Sequence, residues 1–203
     1  MKTIFKLGVI GIIFPLTGPG AYAQTKTDSI QQIHPTHITM KNNVNIIHEN
    51  QGNHISLVGD TYRIAISGKQ TNGEYAIIDM QVPPGGGPPP HAHASIHESF
   101  YILEGELEFS TEEGKFIAKK GDLVTIPKGG AIHCFKNTSQ QMAHMLCTVV
   151  PAGLDEFFEE VGTPVKAGEF LAPAHPDEES IQKAIEISRK YGQVLYPPNY
   201  LDK

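Results

Sequence analysis

Apolar and polar residues alternate along a series of short segments in the middle of the chain. The segments 54–68 (HISLVGDTYRIAISG) and 74–82 (EYAIIDMQV) alternate with a period of two, and further short strand-like segments follow at regular intervals within 99–111, 114–130 and 131–150. Side chains on a strand point alternately to opposite faces, so this pattern indicates strands that bury one face. Turns rich in glycine and asparagine join them. The sequence therefore predicts an all-β domain, an antiparallel sandwich or barrel.

The spacing of apolar residues becomes helical after residue 151. One group recurs at helical intervals before Gly162, namely Leu154, Phe157, Phe158 and Val161. A second segment, 177–192, begins with acidic residues, ends with basic ones and has an apolar face formed by Ile181, Ala184, Ile185 and Tyr191. Acidic residues first and basic residues last suit the helix dipole. We predict two helices that cap an end of the barrel or cover an edge strand.

The first 23 residues have the three-part layout of a secretory signal peptide. MKTIFK is basic, LGVIGIIFPL is apolar, and TGPGAYA ends in a small-residue cleavage pattern after Ala23. A membrane span is the alternative, but it requires roughly 20 apolar residues and Pro15 and Gly18 interrupt this run. We therefore expect an exported protein, periplasmic or extracellular. The predicted organisation is a signal at 1–23, a leader or edge strand at 24–53, a barrel at 54–151 and a helical cap at 152–203.

Composition narrows the classes of partner. The chain is 39% hydrophobic and 19% charged, values typical of a globular domain, and 203 residues suffice for one core. The formal net charge is −6, and loss of Lys2 and Lys6 with the signal would make it −8. No basic stripe interleaved with aromatics occurs, so we expect no nucleic acid partner. We also expect no membrane partner after signal cleavage, and a small-molecule substrate instead.

Two cysteines, Cys134 and Cys147, lie on segments predicted to be strands. A disulfide between them is chemically allowed outside the cytoplasm. Free cysteine is also among the most buried residue types, and this core needs no covalent link. Both states remain open from the sequence.

Ligand-type side chains concentrate in residues 88–106, PPPHAHASIHESFYILEGE. His91 and His93 are two residues apart, so on a strand both point to one face, and Glu98 follows after a predicted bend. His97 neighbours Glu98 and should therefore point the opposite way. A pair of histidines alone is more commonly a surface feature than a metal site. A fourth ligand is needed, and His133 in GDLVTIPKGGAIHCFKN provides one.

The two segments together resemble the signatures of the cupin family. The first signature matches at every interval, with Gly85, His91, His93, Glu98 and Gly105. The second matches except for one extra residue before the histidine, with Gly121, Pro127, Gly129, His133 and Asn137. The likeness extends over about residues 55 to 200, where the chain is similar to single-domain bacterial cupins described as quercetinase-like. It implies a cupin-type antiparallel β-barrel (double-stranded β-helix or jelly roll) with C-terminal helices, and a homodimer.

The resemblance implies that His91, His93, Glu98 and His133 bind one divalent metal inside the barrel. Imidazole and carboxylate ligands suit iron, manganese, nickel, cobalt, copper or zinc better than calcium or magnesium, and do not choose among them. The alternative is a cupin that keeps these residues for structure alone. Glu98 is also the candidate catalytic base, which would take a hydroxyl proton from the substrate.

Strand parity extends the prediction to a substrate pocket. If Glu98 and His133 face the interior, so do Phe100, Ile102 and Phe135, which favours a flat aromatic or apolar substrate. An equal alternative is that these three residues only fill the barrel. His144 alternates with apolar neighbours and is interpreted as a sheet residue. The segments that carry His34, His37, His48, His54 and His175 are interpreted as peripheral.

Two functions follow from these features. The first is a metal-dependent dioxygenase of quercetinase type, acting on a small aromatic or enolic substrate. The second is a cupin that is not an oxygenase: an isomerase, a decarboxylase, or a protein that binds metal and a small ligand without turnover.

Overall fold

The computed structural model describes residues 44–173 and 177–202, and these form two antiparallel β-sheets with two helices. The predicted signal at 1–23 and the histidines His34, His37 and His175 lie outside the described residues. Of the predicted leader, residues 44–52 are described and form no strand, and the first strand starts at Asn53.

Twelve strands of the described residues make up the sheets. In chain order they are β1 (Asn53–Leu57), β2 (Asp60–Ile66), β3 (Ala76–Val82), β4 (His91–His93), β5 (His97–Glu104), β6 (Glu106–Thr111), β7 (Gly114–Lys119), β8 (Leu123–Ile126), β9 (His133–Lys136), β10 (Ala143–Val150), β11 (Thr163–Pro164) and β12 (Gln193–Leu195). The larger sheet has the order β11-β1-β2-β3-β10-β5-β8, and the smaller has the order β12-β4-β9-β6-β7.

The core lies between the two sheets because the alternating residues bury one face of each strand. In β3, Ala76, Ile78, Met80 and Val82 are buried and the residues between them are half-buried. The core also includes a contact between aromatic rings, with Phe100 and Phe109 centroids 5.5 Å apart. The predicted fold class is confirmed: the domain is a cupin-type sandwich of antiparallel sheets, the jelly-roll form of a barrel.

Both predicted helices are present, α1 at Leu154–Val161 and α2 at Glu178–Lys190. Helix α1 buries Leu154, Phe157 and Phe158 in the core. The predicted apolar face of α2 is only partly correct, since Ile181 is exposed whereas Ile187 packs on the core and Ser188 is buried. Within the described part of the chain, neither helix is long and apolar enough to cross a membrane.

The C-terminal region contributes two short strands that the sequence pattern did not predict. β11 pairs with β1 at the edge of the larger sheet, and β12 pairs with β4 at the edge of the smaller one. The second pairing continues beyond β12, because the N–H of Tyr196 donates to the carbonyl of Pro90 at 2.9 Å. The segment after α2 therefore forms part of the sheet that carries three of the four candidate metal ligands.

Candidate metal centre

A glycine loop sets the position of β4, which carries His91 and His93. The N–H of Gly85 donates to the carbonyl of Asn137 at 2.8 Å, and the N–H of Asn137 donates back to Gly86 at 2.9 Å. A side chain at Gly87 would begin 2.1 Å from the carbonyl oxygen of Phe135, so only glycine allows this approach. The prolines that follow have fixed φ angles and lead the chain into β4.

His133 and Glu98 arrive from strands of the two different sheets. His133 lies on β9 directly opposite His91, and Glu98 lies near the start of β5. The extra residue in the second signature does not displace the histidine. Two consecutive glycines with positive φ, Gly129 at 126° and Gly130 at 82°, form the turn before β9.

The four predicted ligands converge inside the sandwich. One ligand atom from each of His91, His93, Glu98 and His133 lies within 4.8 Å of every other, and all four side chains are buried. Oε2 of Glu98 lies 2.8 Å from Nε2 of His93 and 3.2 Å from Nε2 of His133. The rings of His91 and His133 are 4.4 Å apart.

Backbone carbonyls fix the orientation of all three imidazoles. Nδ1 of His91 lies 3.0 Å from the carbonyl oxygen of Pro89, Nδ1 of His93 lies 3.3 Å from that of Ile96, and Nδ1 of His133 lies 2.9 Å from that of Ala131. A carbonyl can only accept, so each Nδ1 carries the proton and donates it. Nε2 of His93 and of His133 then donates to Glu98, and a bound metal would replace these protons and take the Nε2 lone pairs.

Burial, charges and hydrogen bonds within the cluster shift the pKa values of three of its side chains. Burial opposes ionisation of Glu98, but hydrogen bonds from His133 and His93 outweigh it and hold the pKa of Glu98 well below its usual range. Burial, together with the neighbouring His133, lowers the pKa of His91 to about 3, which keeps that ring neutral. Burial would also lower the pKa of His93, but its hydrogen bond to Glu98 raises it.

This donor set fits a divalent transition metal. Three imidazole nitrogens and one carboxylate can surround a single ion, since their spacing matches the distances between ligands of one coordination sphere. Four protein ligands also leave coordination positions for substrate on a six-coordinate metal. The sites of calcium and magnesium are built from oxygen ligands, so those two ions fit poorly.

A contact between Cys147 and Glu98 was not predicted from the sequence. Sγ of Cys147 lies 3.6 Å from Oε1 of Glu98, the carboxylate oxygen that the histidines leave free, and the thiol is fully buried. Burial and the charge on Glu98 raise the pKa of Cys147 well above its ordinary value, so it is a neutral S–H donor. Cys134 is half-buried, on the face of β9 opposite to that of His133. Both cysteines are free thiols.

Asp60 and Tyr62 form a second buried polar pair that sequence analysis did not single out. The hydroxyl of Tyr62 donates to Oδ2 of Asp60 at 3.0 Å, and Oδ1 of Asp60 is buried without a hydrogen-bond partner. Burial raises the pKa of Asp60 to about 7, against the opposing hydrogen bonds from Tyr62 and the backbone of Gly87. The carboxyl group also packs on the glycine loop, 2.2 Å from where a Cβ of Gly86 would lie.

The three predicted pocket residues face inward, as parity required. Phe100, Ile102 and Phe135 are buried in the core, and the rings of Phe100 and Phe135 are 5.8 Å apart. Their packing accounts for part of the core, and a role in binding substrate stays a prediction.

The other described histidines are not part of the ligand cluster. His97 points away from the cluster, and its Nε2 lies 3.1 Å from Oγ of Ser99. His144 faces the outside of the larger sheet and forms an ion pair with Asp79, as expected of a sheet residue. His48 and His54 lie outside the cluster of ligands.

Comparisons with known proteins agree with this geometry. Residues 78–149 match the model of the cupin domain family. Quercetin 2,3-dioxygenase of Bacillus subtilis (strain 168) is 24% identical over 131 residues, which cover 64% of this chain and 38% of that protein. Probable germin-like protein subfamily 2 member 5 of Arabidopsis thaliana is 46% identical over 68 residues, which cover 31% of this chain and 32% of that protein.

Among solved structures, a predicted oxalate decarboxylase from Thermotoga maritima aligns with a TM-score of 0.48 at 22% identity, covering 53% of this chain and 99% of that one. The chain spans about a third of the length of the two curated relatives. The match over 78–149 includes β4, β5, β9 and β10, which carry the four converging ligands and Cys147. Residues 78–149 therefore match a cupin domain, and over that region the chain is similar to cupin proteins.

Proposed function

We propose that the protein is a metal-dependent dioxygenase of quercetinase type, acting on a small aromatic or enolic substrate that carries an ionisable hydroxyl. The observation that carries this proposal is the ligand set itself: three imidazoles and one carboxylate in a buried, largely apolar interior. The similarity to the quercetin 2,3-dioxygenase of Bacillus subtilis supports it.

The side chains of the site have distinct tasks in this reaction. His91, His93, His133 and Glu98 would hold the metal, which supplies Lewis-acid activation of the substrate hydroxyl and electron transfer with dioxygen. Glu98 is ionised before the substrate arrives, as a base must be, and its carboxylate accepts the hydroxyl proton. The thiol of Cys147 donates to Oε1 and so limits the rotation of this carboxylate.

Oxygen uptake with flavonols tests the proposal. The purified protein would be loaded separately with iron, manganese, nickel and cobalt and given quercetin under air. We expect uptake with at least one metal. We also expect Glu98→Gln to reduce the rate about 100-fold or more, since even changes behind metal ligands cost 10- to 100-fold. His144→Ala, a histidine on the outer face, is the matched control and should retain the rate. Absence of uptake with every metal would refute the flavonol reaction.

A second candidate function is a cupin that is not an oxygenase, such as an isomerase, a decarboxylase or a binding protein without turnover. The observation behind it is that the identity is higher, 46% over 68 residues, to a germin-like protein whose name states no oxygenase activity. His91→Ala and Glu98→Ala would separate the cases. If these variants lose the metal but keep full ligand affinity and any activity, the metal centre is not where the protein functions.

We propose in addition that the protein is exported, on the basis of the signal-like pattern at 1–23. Mass spectrometry of the protein recovered from its own host tests this. Export with cleavage predicts a mature chain that begins at Gln24. A protein that retains Met1 to Ala23 in the cytoplasm would contradict it.

A further inference from the structure

The strand β12 brings a glutamine beside the metal ligands. Gln193 lies directly opposite His93 in the antiparallel pairing of β12 with β4. Residues directly opposite each other point to the same face, with Cβ atoms about 4.5–5.5 Å apart. Gln193 is 5% exposed and its neighbour Val194 is 50% exposed, so the glutamine side chain points into the sandwich, on the face that carries His91 and His93.

The side-chain oxygen of Gln193 has an unfilled hydrogen-bonding capacity. Among the described residues, Oε1 of Gln193 is one of two buried side-chain oxygen or nitrogen atoms without a partner. Buried polar atoms in folded proteins are nearly always paired, because an unpaired one carries a desolvation cost. His93 cannot fill this role, since its Nδ1 is bonded to Ile96 and its Nε2 to Glu98.

The position of β12 in the chain separates Gln193 from the ligand set. Residues 78–149 supply all four candidate ligands, whereas β12 lies more than forty residues beyond them. The strand follows α2, which is joined to α1 by the hydroxyl of Tyr191 donating to Glu160 at 2.6 Å. The C-terminal segment thus places a hydrogen-bond acceptor on the face of the sheet that carries His91 and His93.

We propose that Gln193 is a substrate-positioning residue, whose Oε1 accepts a hydrogen bond from a second hydroxyl of the bound substrate. The first hydroxyl is the one that Glu98 deprotonates, so the inference rests on the proposed function. The carbonyl oxygen of an amide accepts hydrogen bonds and donates none. It therefore favours substrates that have an additional free hydroxyl group over substrates that lack it. The substrate class is therefore a polyhydroxylated aromatic or enolic compound.

Two flavonols test the assignment by binding. Quercetin carries several hydroxyls, and 3-hydroxyflavone carries only the one beside the ring carbonyl. Their dissociation constants would be measured without oxygen, from the shift of the flavonol absorption on titration with cobalt-loaded protein. The variant is Gln193→Met, which keeps side-chain length and removes the acceptor. Val194→Ala, exposed on the same strand, is the matched control.

We expect Gln193→Met to weaken quercetin binding roughly 3- to 10-fold, the value of one neutral hydrogen bond, and to leave 3-hydroxyflavone unchanged. Its thermal stability should not fall, because the substitution removes an unpaired buried acceptor. Equal loss for both flavonols, or loss of stability with no change in selectivity, would overturn the assignment while leaving the proposed function intact. Failure of both flavonols to bind the cobalt-loaded wild type would overturn the proposed function as well.

Discussion

β10 separates two groups of histidine and carboxylate side chains that differ in their chemistry. On its outer face, His144 forms an ion pair with Asp79, which Arg63 also contacts at 2.6 Å. On its inner face, the Cys147 thiol lies beside Glu98 and the three converging histidines. Both groups combine imidazole and carboxylate, yet only the inner one has the arrangement of a metal centre.

The two groups differ in the partners that their carboxylate and imidazole side chains already have. In the outer group, a permanent cation neutralises the carboxylate, and the imidazole uses its Nε2 on that same carboxylate. In the inner group, backbone carbonyls take the Nδ1 protons, and the ion pairs of Glu98 in the described structure are with His93 and His133 alone. A bound metal would therefore replace the contacts of Glu98 with His93 and His133 in the inner group. In the outer group, Arg63 already supplies the positive charge beside Asp79. Histidine next to carboxylate does not by itself define a metal site.

Metal removal should produce the largest effect, and only through the inner group. A ligand present at 1,000 times its dissociation constant stabilises the folded state by about 4 kcal/mol. For a chain of this size that corresponds to roughly 8–16 °C in melting temperature. Calorimetry with and without a chelator measures the shift. His144→Ala should retain it and His133→Ala should abolish it, and an unchanged shift in His133→Ala would contradict the assignment.

Asp60→Asn tests a buried carboxyl that belongs to neither group and has no arginine ion pair. The pKa of Asp60 is raised from 3.8 to about 7, so the folded form retains a proton that the unfolded chain releases between those values. Stability should therefore fall as pH rises from about 4 to 7, by roughly 4 kcal/mol in total.

Urea unfolding of Asp60→Asn from pH 4 to 8 should show this dependence flattened, with higher stability than wild type at pH 8. Asp79→Asn is the contrasting variant. Hydrogen bonds from His144 and Arg63 overcome the effect of burial and lower the pKa of Asp79, so its contribution is lost as pH falls. A wild-type profile that does not decline between pH 4 and 7 would show that Asp60 is ionised throughout.

The inward cysteine should matter for catalysis and the outward one should not. Cys147→Ala removes the S–H donor to Oε1 of Glu98, and we expect kcat to fall about 3- to 10-fold, as for loss of one weak hydrogen bond. Cys147→Ser restores a donor and should recover most of the rate. Cys134→Ala is the control. Steady-state oxygen uptake measures all three, and equal rates for the alanine and serine variants of Cys147 would argue against positioning.

His144→Ala should have the smallest effect. The hydrogen bond and charge of Asp79 raise the pKa of His144, so the pair contributes stability below pH 6.5 and loses it as pH rises through the raised value. Because the side chain is partly exposed, we expect a loss of only roughly 0.5–1 kcal/mol at pH 6 and less at pH 9. Urea unfolding at the two pH values checks this. A larger loss of stability at pH 9 than at pH 6 would contradict the expected pH dependence of this ion pair.

Much of the fold and the ligand cluster was predictable because it depends on short intervals. The two-residue period assigned the inward side chains of β5 and β9 correctly, and the spacing from His91 to Glu98 lies within one turn and its flanking strands. The extra residue before His133 was harmless because two glycines absorb it.

The remaining site residues were not predictable because they depend on strand pairing between distant segments. Cys147 reaches Glu98 only because β10 pairs with β5, and Gln193 reaches the site only because the segment after α2 returns to pair with β4. Asp60 stood next to a glycine in a turn-like context, and its burial depends on the glycine loop more than twenty residues later. No local pattern marks such contacts.

Elemental analysis of the protein purified from its own host tests whether His91, His93, Glu98 and His133 bind a metal. We expect about one equivalent of a divalent transition metal per chain. The ion should be absent from His133→Ala and present in His144→Ala, with both variants folded. A native protein that is active without metal, or a His133→Ala variant that keeps its full metal content, would contradict this assignment.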